Sequence, residues 1–198
     1  MARRVRNLGL ALGIALLGSG LALVWAGATE IAKPPWYEWR LPEQGLRPLA
    51  GEQLGEVGWQ GIHRDPRSDL GYGFDEVSFA AVDGTTLRGW FVPGSPDATA
   101  SVVTVHGAGA DRRDFLRHLP VFHEAGYPVL LFDCREHGIS DGDARGVSFG
   151  VREHYDVSSA VQYMKQARGF ARVAVVGTSQ GGASVLLAAA RDPAIDAV

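Results

Sequence analysis

Apolar and polar positions follow three regimes along this chain. From Leu8 to Ala28 (LGLALGIALLGSGLALVWAGA), 21 residues pass without a charge. At a helical rise of about 1.5 Å per residue that run matches the roughly 30 Å of a bilayer's hydrocarbon core, and it predicts one transmembrane helix. From Ile31 to about Gly71, Pro34, Pro35, Pro42, Pro48 and Pro66 punctuate a glycine-rich stretch with no sustained period of 2 or 3.6. This reads as a linker that drapes over a surface. Beyond it the pattern becomes regular, which divides the chain into an anchor over 1–30, a linker over 31–70 and a folded domain over 71–198.

Within that domain, Glu76 to Ala81 (EVSFAA) and Leu87 to Val92 (LRGWFV) are short β-rich runs joined through Asp83-Gly84. That dipeptide accepts the positive φ angles of a tight turn, so the runs predict an antiparallel hairpin. Ser101 to Val105 (SVVTV), Val129 to Phe132 (VLLF) and Val173 to Val176 (VAVV) are continuously apolar. Strands of that kind are buried on both faces, and the helical stretches between them imply a parallel arrangement. One helix is expected within Asp111 to Ala125, split or kinked by Pro120, with Phe115, Leu119 and Phe122 facing the sheet. A second spans about Arg152 to Ala167 with Val157, Val161 and Met164 on one face. A third, Gly182 to Arg191, is almost wholly apolar and is expected to be buried. Ile195 to Val198 looks like the start of a further strand.

Arg3, Arg4 and Arg6 precede the apolar run, so the positive-inside rule keeps the N-terminus cytoplasmic and sends the domain across the membrane. The small-x-small triplet Ala26-Gly27-Ala28 leaves a cleaved signal peptide and a secreted product as the alternative. Trp25, Trp36, Tyr37 and Trp39 either form an interfacial belt or pack on the soluble domain. With 46% hydrophobic and 21% charged residues the chain can build an ordinary core. Its net charge is −3 overall and −6 once those three arginines are set aside, which excludes the electrostatic footprint of a nucleic-acid partner. The single cysteine, Cys134, supports neither an internal disulfide nor a zinc framework and reads as a buried thiol at a strand end.

In an α/β sheet, chemistry sits beyond the carboxyl ends of the strands, and the informative residues cluster there. Gly177-Thr178-Ser179-Gln180-Gly181 is a G-x-S-x-G that closes an apolar strand and opens a helix. A sharp strand-to-helix turn needs glycines at the flanks because side chains there would collide, and such a turn lifts the serine hydroxyl clear of the sheet. Ser179 is therefore the candidate nucleophile. His106-Gly107-Ala108-Gly109 ends the first parallel strand, where a glycine loop can bring the Ala108 N–H alongside that of Gln180 as an oxyanion hole. His106 is expected to orient that loop rather than to act as a base. Asp133 and Arg135, in Asp133-Cys134-Arg135-Glu136-His137-Gly138-Ile139-Ser140-Asp141-Gly142, are expected to tie loops together.

HGAG, DCREHGISDG and GTSQGG, in this order, resemble the α/β-hydrolase fold, particularly bacterial serine aminopeptidase-like, membrane-anchored hydrolases. The lead-in from Phe74 to Pro93 is similar to the first hairpin of the same group, and the resemblance extends over about Gly71 to Val198. It implies a mostly parallel sheet with an N-terminal antiparallel hairpin. It also implies hydrolysis of an ester, amide or peptide bond of a small-molecule or peptide acyl substrate through an acyl-enzyme, without a cofactor or metal. The family places its acid and then its histidine after the nucleophile. Only Asp192 and Asp196 follow Ser179, with no histidine, and His63, His106, His118, His123, His137 and His154 all precede it. The expectation is a hydrolase domain truncated after the nucleophile helix and not competent alone.

The alternative from another class is a membrane-tethered, non-catalytic hydrolase-like protein that binds a ligand or partner. A dinucleotide site lacks the third glycine of G-x-G-x-x-G, Arg112 standing there, and a P-loop fails because Lys33 and Lys165 follow no glycine-rich loop. No H-E-x-x-H segment offers a catalytic zinc.

Overall fold

The computed structural model describes residues 2–34, 37, 40, 42–47 and 64–198, with the side chains of 2–16 left out. Pro35, Trp36, Trp39, Pro48, His63 and the side chains of Arg3, Arg4 and Arg6 thus lie outside the described residues. The chain divides into two units, Met1–Tyr37 and Glu38–Val198.

The first unit is one helix, α1 (Ala2–Ala32). Leu17, Leu21, Leu23, Val24 and Trp25 along it are all exposed. Among the described residues no helix is long and apolar enough to cross a membrane.

In the second unit a short helix, α2 (Pro66–Leu70), falls inside the segment read as linker. Its ends are fully specified: the Asp65 side chain accepts from the Arg67 and Ser68 N–H groups, Pro66 opens the first turn, and Gly71 closes the last at φ 76°. The sheet follows as β1 (Asp75–Ala80), β2 (Thr86–Val92), β3 (Ala100–Val105), β4 (Val129–Asp133) and β5 (Arg172–Gly177), ordered β1-β2-β4-β3-β5. β1 and β2 form the expected antiparallel hairpin, with Gly84 at φ 85° in its turn. β2 pairs antiparallel with β4, whereas β3 runs parallel to both β4 and β5. Ala197 makes one parallel bridge to Ala174, so the expected strand start lies beside β5.

β4 is buried along its whole length, and its side chains alternate between two cores, as a strand covered on both faces must. Leu130 and Phe132 join Val103, Val105, Val173, Val175 and the helical Val157, Val161 and Met164. Val129 and Leu131 join Trp90, Val102, Phe115, Leu116 and Leu119. The helix expected over Asp111 to Ala125 is split: a 3-10 turn at Arg112–Phe115 is followed by α3 (Leu119–Glu124), which Pro120 enters in its first turn, where no backbone donor is needed. α4 (Glu153–Gln162) continues into a π turn at Tyr163–Ala167. The last helix, α5 (Gln180–Ala189), departs from the expectation of full burial. It buries Ser184, Val185 and Ala188, but Leu186 is 65% exposed, because the sheet covers only one face of the helix.

Candidate active site

β3, β4 and β5 end level with one another, since Val105 pairs with both Phe132 and Gly177. His106, Cys134 and Thr178 therefore leave the sheet side by side. Thr178 N–H donates to the Val105 carbonyl at 3.1 Å, tying the turn after β5 to the end of β3. Ser179 then takes φ 51° and ψ −119°, and α5 begins at Gln180. This is backbone that only glycine enters freely, so the serine is held there against its own preference. Ser179 occupies the N-cap position, yet its hydroxyl makes no capping hydrogen bond. The side chain is exposed rather than turned into the core.

The flanking glycines explain how the turn closes. A Cβ at Gly177 would run into the backbone of Gly181, and one at Gly181 would strike the carbonyl oxygens of Val105 and His106. Across from the serine, a Cβ at Gly107 would come within 3.4 Å of Ser179 Cβ, so the loop after β3 lies directly against the candidate nucleophile. Gly109 is at φ 72°, and Ala110 N–H donates to the Gly107 carbonyl at 3.2 Å, which folds this loop tightly. Among the described residues the N–H groups of Ala108 and Gln180 donate to no protein acceptor, and the latter belongs to the unpaired first turn of α5. The Gln180 side chain is buried, with neither amide atom hydrogen bonded.

His106 is bonded at both ring nitrogens. Nδ1 lies 2.7 Å from the Gly107 carbonyl oxygen, and Nε2 accepts the Cys134 N–H at 3.0 Å. It thereby joins the β3 and β4 loops. His137 packs against it with ring centroids 4.9 Å apart and donates from Nδ1 to the Arg135 carbonyl. Burial, with His106 beside it, pushes the His137 imidazole down to about 4, so it is neutral at pH 7. His123 stacks on Tyr72, and His154 Nδ1 lies 3.1 Å from the Gly150 carbonyl. No histidine among the described residues is hydrogen bonded to Ser179.

The acidic residues after Ser179 are equally remote. Asp196 accepts from Val173 N–H and pairs with Lys165, at the amino end of β5, four residues before the Gly177 end from which Ser179 emerges. Asp192 turns its Oδ1 to Ala194 N–H.

Asp133 accepts from the Arg112 and Ile139 N–H groups and pairs with the Arg112 guanidinium at 2.7 Å. Arg135 grips the fully buried Asp156 and also reaches Asp83 in the hairpin turn. Burial pushes the Asp156 carboxyl up to about 6 despite Arg135. For Asp111 burial acts in the same upward sense, but hydrogen bonds and charge from Arg113 outweigh it and hold the carboxyl low. Cys134 is buried and free, and burial raises its thiol well above the ordinary range, as a packing residue allows. Among the described residues no group of three His, Cys, Asp or Glu could hold a metal. Sequence reading passed over Asp114, which is 9% exposed and whose carboxylate touches both Gly107 and Thr178. The only signal for it was an acidic residue in the turn after the glycine loop.

The family described as serine aminopeptidase, S33, matches residues 96–198, just over half of the chain, and the chain belongs to that hydrolase family. Its α/β-hydrolase fold is shared by solved structures. The Pyrococcus furiosus esterase Pf2001 superposes with a TM-score of 0.59 at 25% identity, over 68% of this chain and 52% of that one. The α/β-hydrolase GrgF of a Penicillium species gives 0.56 at 28% identity, over 63% and 44%. Among curated relatives, a thiohydrolase of Aspergillus aculeatus is 33% identical over 122 residues, covering 60% of this chain and 38% of its own length. A polyketide transferase of Stachybotrys chlorohalonatus is 33% identical over 127 residues, with 63% and 42% covered. The chain thus spans about two-fifths of the length of the curated relatives that it matches.

Proposed function

We propose that this chain carries the nucleophile and oxyanion hole of a serine hydrolase that opens an ester, amide or peptide bond of a small-molecule or peptide acyl substrate through an acyl-enzyme. The observation behind this reading is the exposed Ser179, strained at φ 51° between β5 and α5, with the Gly107 loop packed against it. In the reaction, Ser179 Oγ bonds to the acyl carbon and the carbonyl oxygen takes up the negative charge. The N–H groups of Ala108 and Gln180 donate to that oxyanion, a contribution of about 3–4 kcal/mol per donor in sites of this kind. Collapse expels the alcohol or amine, and water then releases the acid. Relatives named as an esterase and a thiohydrolase support hydrolysis as the reaction class. A serine hydroxyl is a weak nucleophile without a base, and within residues 1–198 no histidine follows Ser179. Adduct formation assisted by a diffusible base is therefore the appropriate test. With added imidazole, a fluorophosphonate should form an Oγ–phosphorus bond at Ser179 as fluoride leaves and imidazole takes the proton, located by peptide mass spectrometry. A chain that stays unmodified, or is modified at another serine, would refute the reading and leave a non-catalytic binding protein in its place.

We propose further that Leu8 to Ala28 anchors the chain in a membrane, with the N-terminus cytoplasmic and the hydrolase domain on the far side. Continuous helix over Ala2–Ala32 and its exposed leucines support this. Protease added outside intact cells should digest the domain; full protection would place the domain on the cytoplasmic side.

A further inference from the structure

The loop after β3 and the turn after β5 hold the two halves of the proposed site, and their relative position decides whether an oxyanion formed at Ser179 meets its donors. A donor set at the wrong distance loses most of its effect, since preorganisation rather than mere presence lowers the barrier. Besides direct packing and the Thr178 N–H bond to the Val105 carbonyl, the Asp114 side chain joins the two. Asp114 Oδ2 accepts the Gly107 N–H at 3.2 Å and the Thr178 hydroxyl at 2.9 Å. Gly107 immediately precedes Ala108, and Thr178 immediately precedes Ser179. We infer that Asp114 is a positioning residue of this hydrolase, which fixes the oxyanion loop against the nucleophile turn through Thr178; the inference rests on the reading of Ser179 as nucleophile.

The surroundings of Asp114 suit that role. Its backbone is held in the 3-10 turn Arg112–Phe115, whose start is capped by the Asp111 side chain and whose Arg112 N–H is bound by Asp133. Its other oxygen, Oδ1, pairs with Arg117 at 3.2 Å, so the buried carboxylate keeps a counter-charge. An ionised carboxylate accepts at both oxygens, so the same oxygen can take both loop donors while the second faces Arg117. Asparagine could still accept from one side but would turn an NH2 donor toward the Arg117 guanidinium. Thr178 contributes its hydroxyl alone: valine there keeps the shape and removes the bond.

The test uses the full chain with imidazole as base and a fluorophosphonate as probe, separating the maximal phosphonylation rate from the probe's dissociation constant. Asp114→Asn and Thr178→Val should each lower the maximal rate about tenfold, less than the loss of an oxyanion donor outright. The dissociation constant of Thr178→Val should stay at the wild-type value. Thr178→Ser, which restores the hydroxyl, should recover the rate. Combining Asp114→Asn with Thr178→Val should slow phosphonylation no further than the worse single change, because both break one bridge. Wild-type rates in Thr178→Val and Asp114→Asn would overturn the positioning role while leaving Ser179 as nucleophile. A wild-type chain that never reacts would remove both ideas at once.

Discussion

Asp156→Ala is expected to cost the domain about 3–5 kcal/mol, because it breaks a buried ion pair from one side. Both carboxylate oxygens of Asp156 are spent on Arg135: Oδ1 lies 2.9 Å from Nε and 2.7 Å from Nη2, and Oδ2 accepts the Arg135 backbone N–H at 2.9 Å. Asp156 has no exposed surface and the Arg135 side chain is 4% exposed. Alanine would leave a guanidinium inside the protein with Asp83 as its remaining carboxylate partner among the described residues, itself 45% exposed and able to offer water-screened charge only. The pair also spans the architecture, joining α4 to the end of β4 and, through Asp83, to the β1–β2 turn. For a unit of this size the thermal midpoint should fall by about 10 °C or more. Asp141→Ala is the matched control: its partner Arg88 stands at 2.7 Å, but the side chains are 24% and 41% exposed, and a pair of that kind is worth at most about 1 kcal/mol. Midpoints for the two variants that fall equally would mean that burial does not set the worth of these pairs.

How much of this could be read from the chain depended on whether a signal was local. The hairpin turns on Asp83-Gly84, and the elbow on glycines flanking a serine after an apolar run, so both follow from a few adjacent residues. Burial on both faces followed from Val129 to Phe132 being apolar without alternation, and the parallel pairing of β4 with β3 from the helical stretch between them. Order was not available by that route. Nothing in β4 says that it inserts between β2 and β3, because the choice is made by crossovers of helices packed far along the chain. The helix α2 escaped notice since five residues are too few to show a 3.6 period, although Asp65, Pro66 and Gly71 spell out its start and stop. The apolar run in α5 could not reveal which side meets the sheet, so the exposure of Leu186 had to come from the packing. Asp114 shows the same limit in the site: it joins Thr178 across 64 positions of sequence, and no local pattern encodes a contact of that reach.

Ser179→Gly is expected to abolish phosphonylation and, at the same time, to make the domain more stable. Serine at φ 51° and ψ −119° carries a Cβ through a region that glycine enters without penalty, a strain of about 1–3 kcal/mol. Glycine removes that strain but adds about 0.5–1 kcal/mol of unfolded-chain freedom to be lost on folding. The net gain should be about 1 kcal/mol, seen as a rise of about 3 °C in the thermal midpoint. Ser179→Ala separates the two contributions, for it deletes the hydroxyl and keeps the Cβ. Because Ser179 makes no capping bond to α5, alanine should leave stability within about 0.5 kcal/mol of wild type, and it should be as unreactive as glycine. Equal midpoints for the glycine and alanine variants would show that no strain is stored at this residue. Phosphonylation that persists in either would show that another side chain is the nucleophile. The expected pairing, a more stable protein with no reactive group, ties the strain to the chemistry: the same backbone angles that cost stability turn the hydroxyl away from α5 and out to where an acyl carbon can reach it.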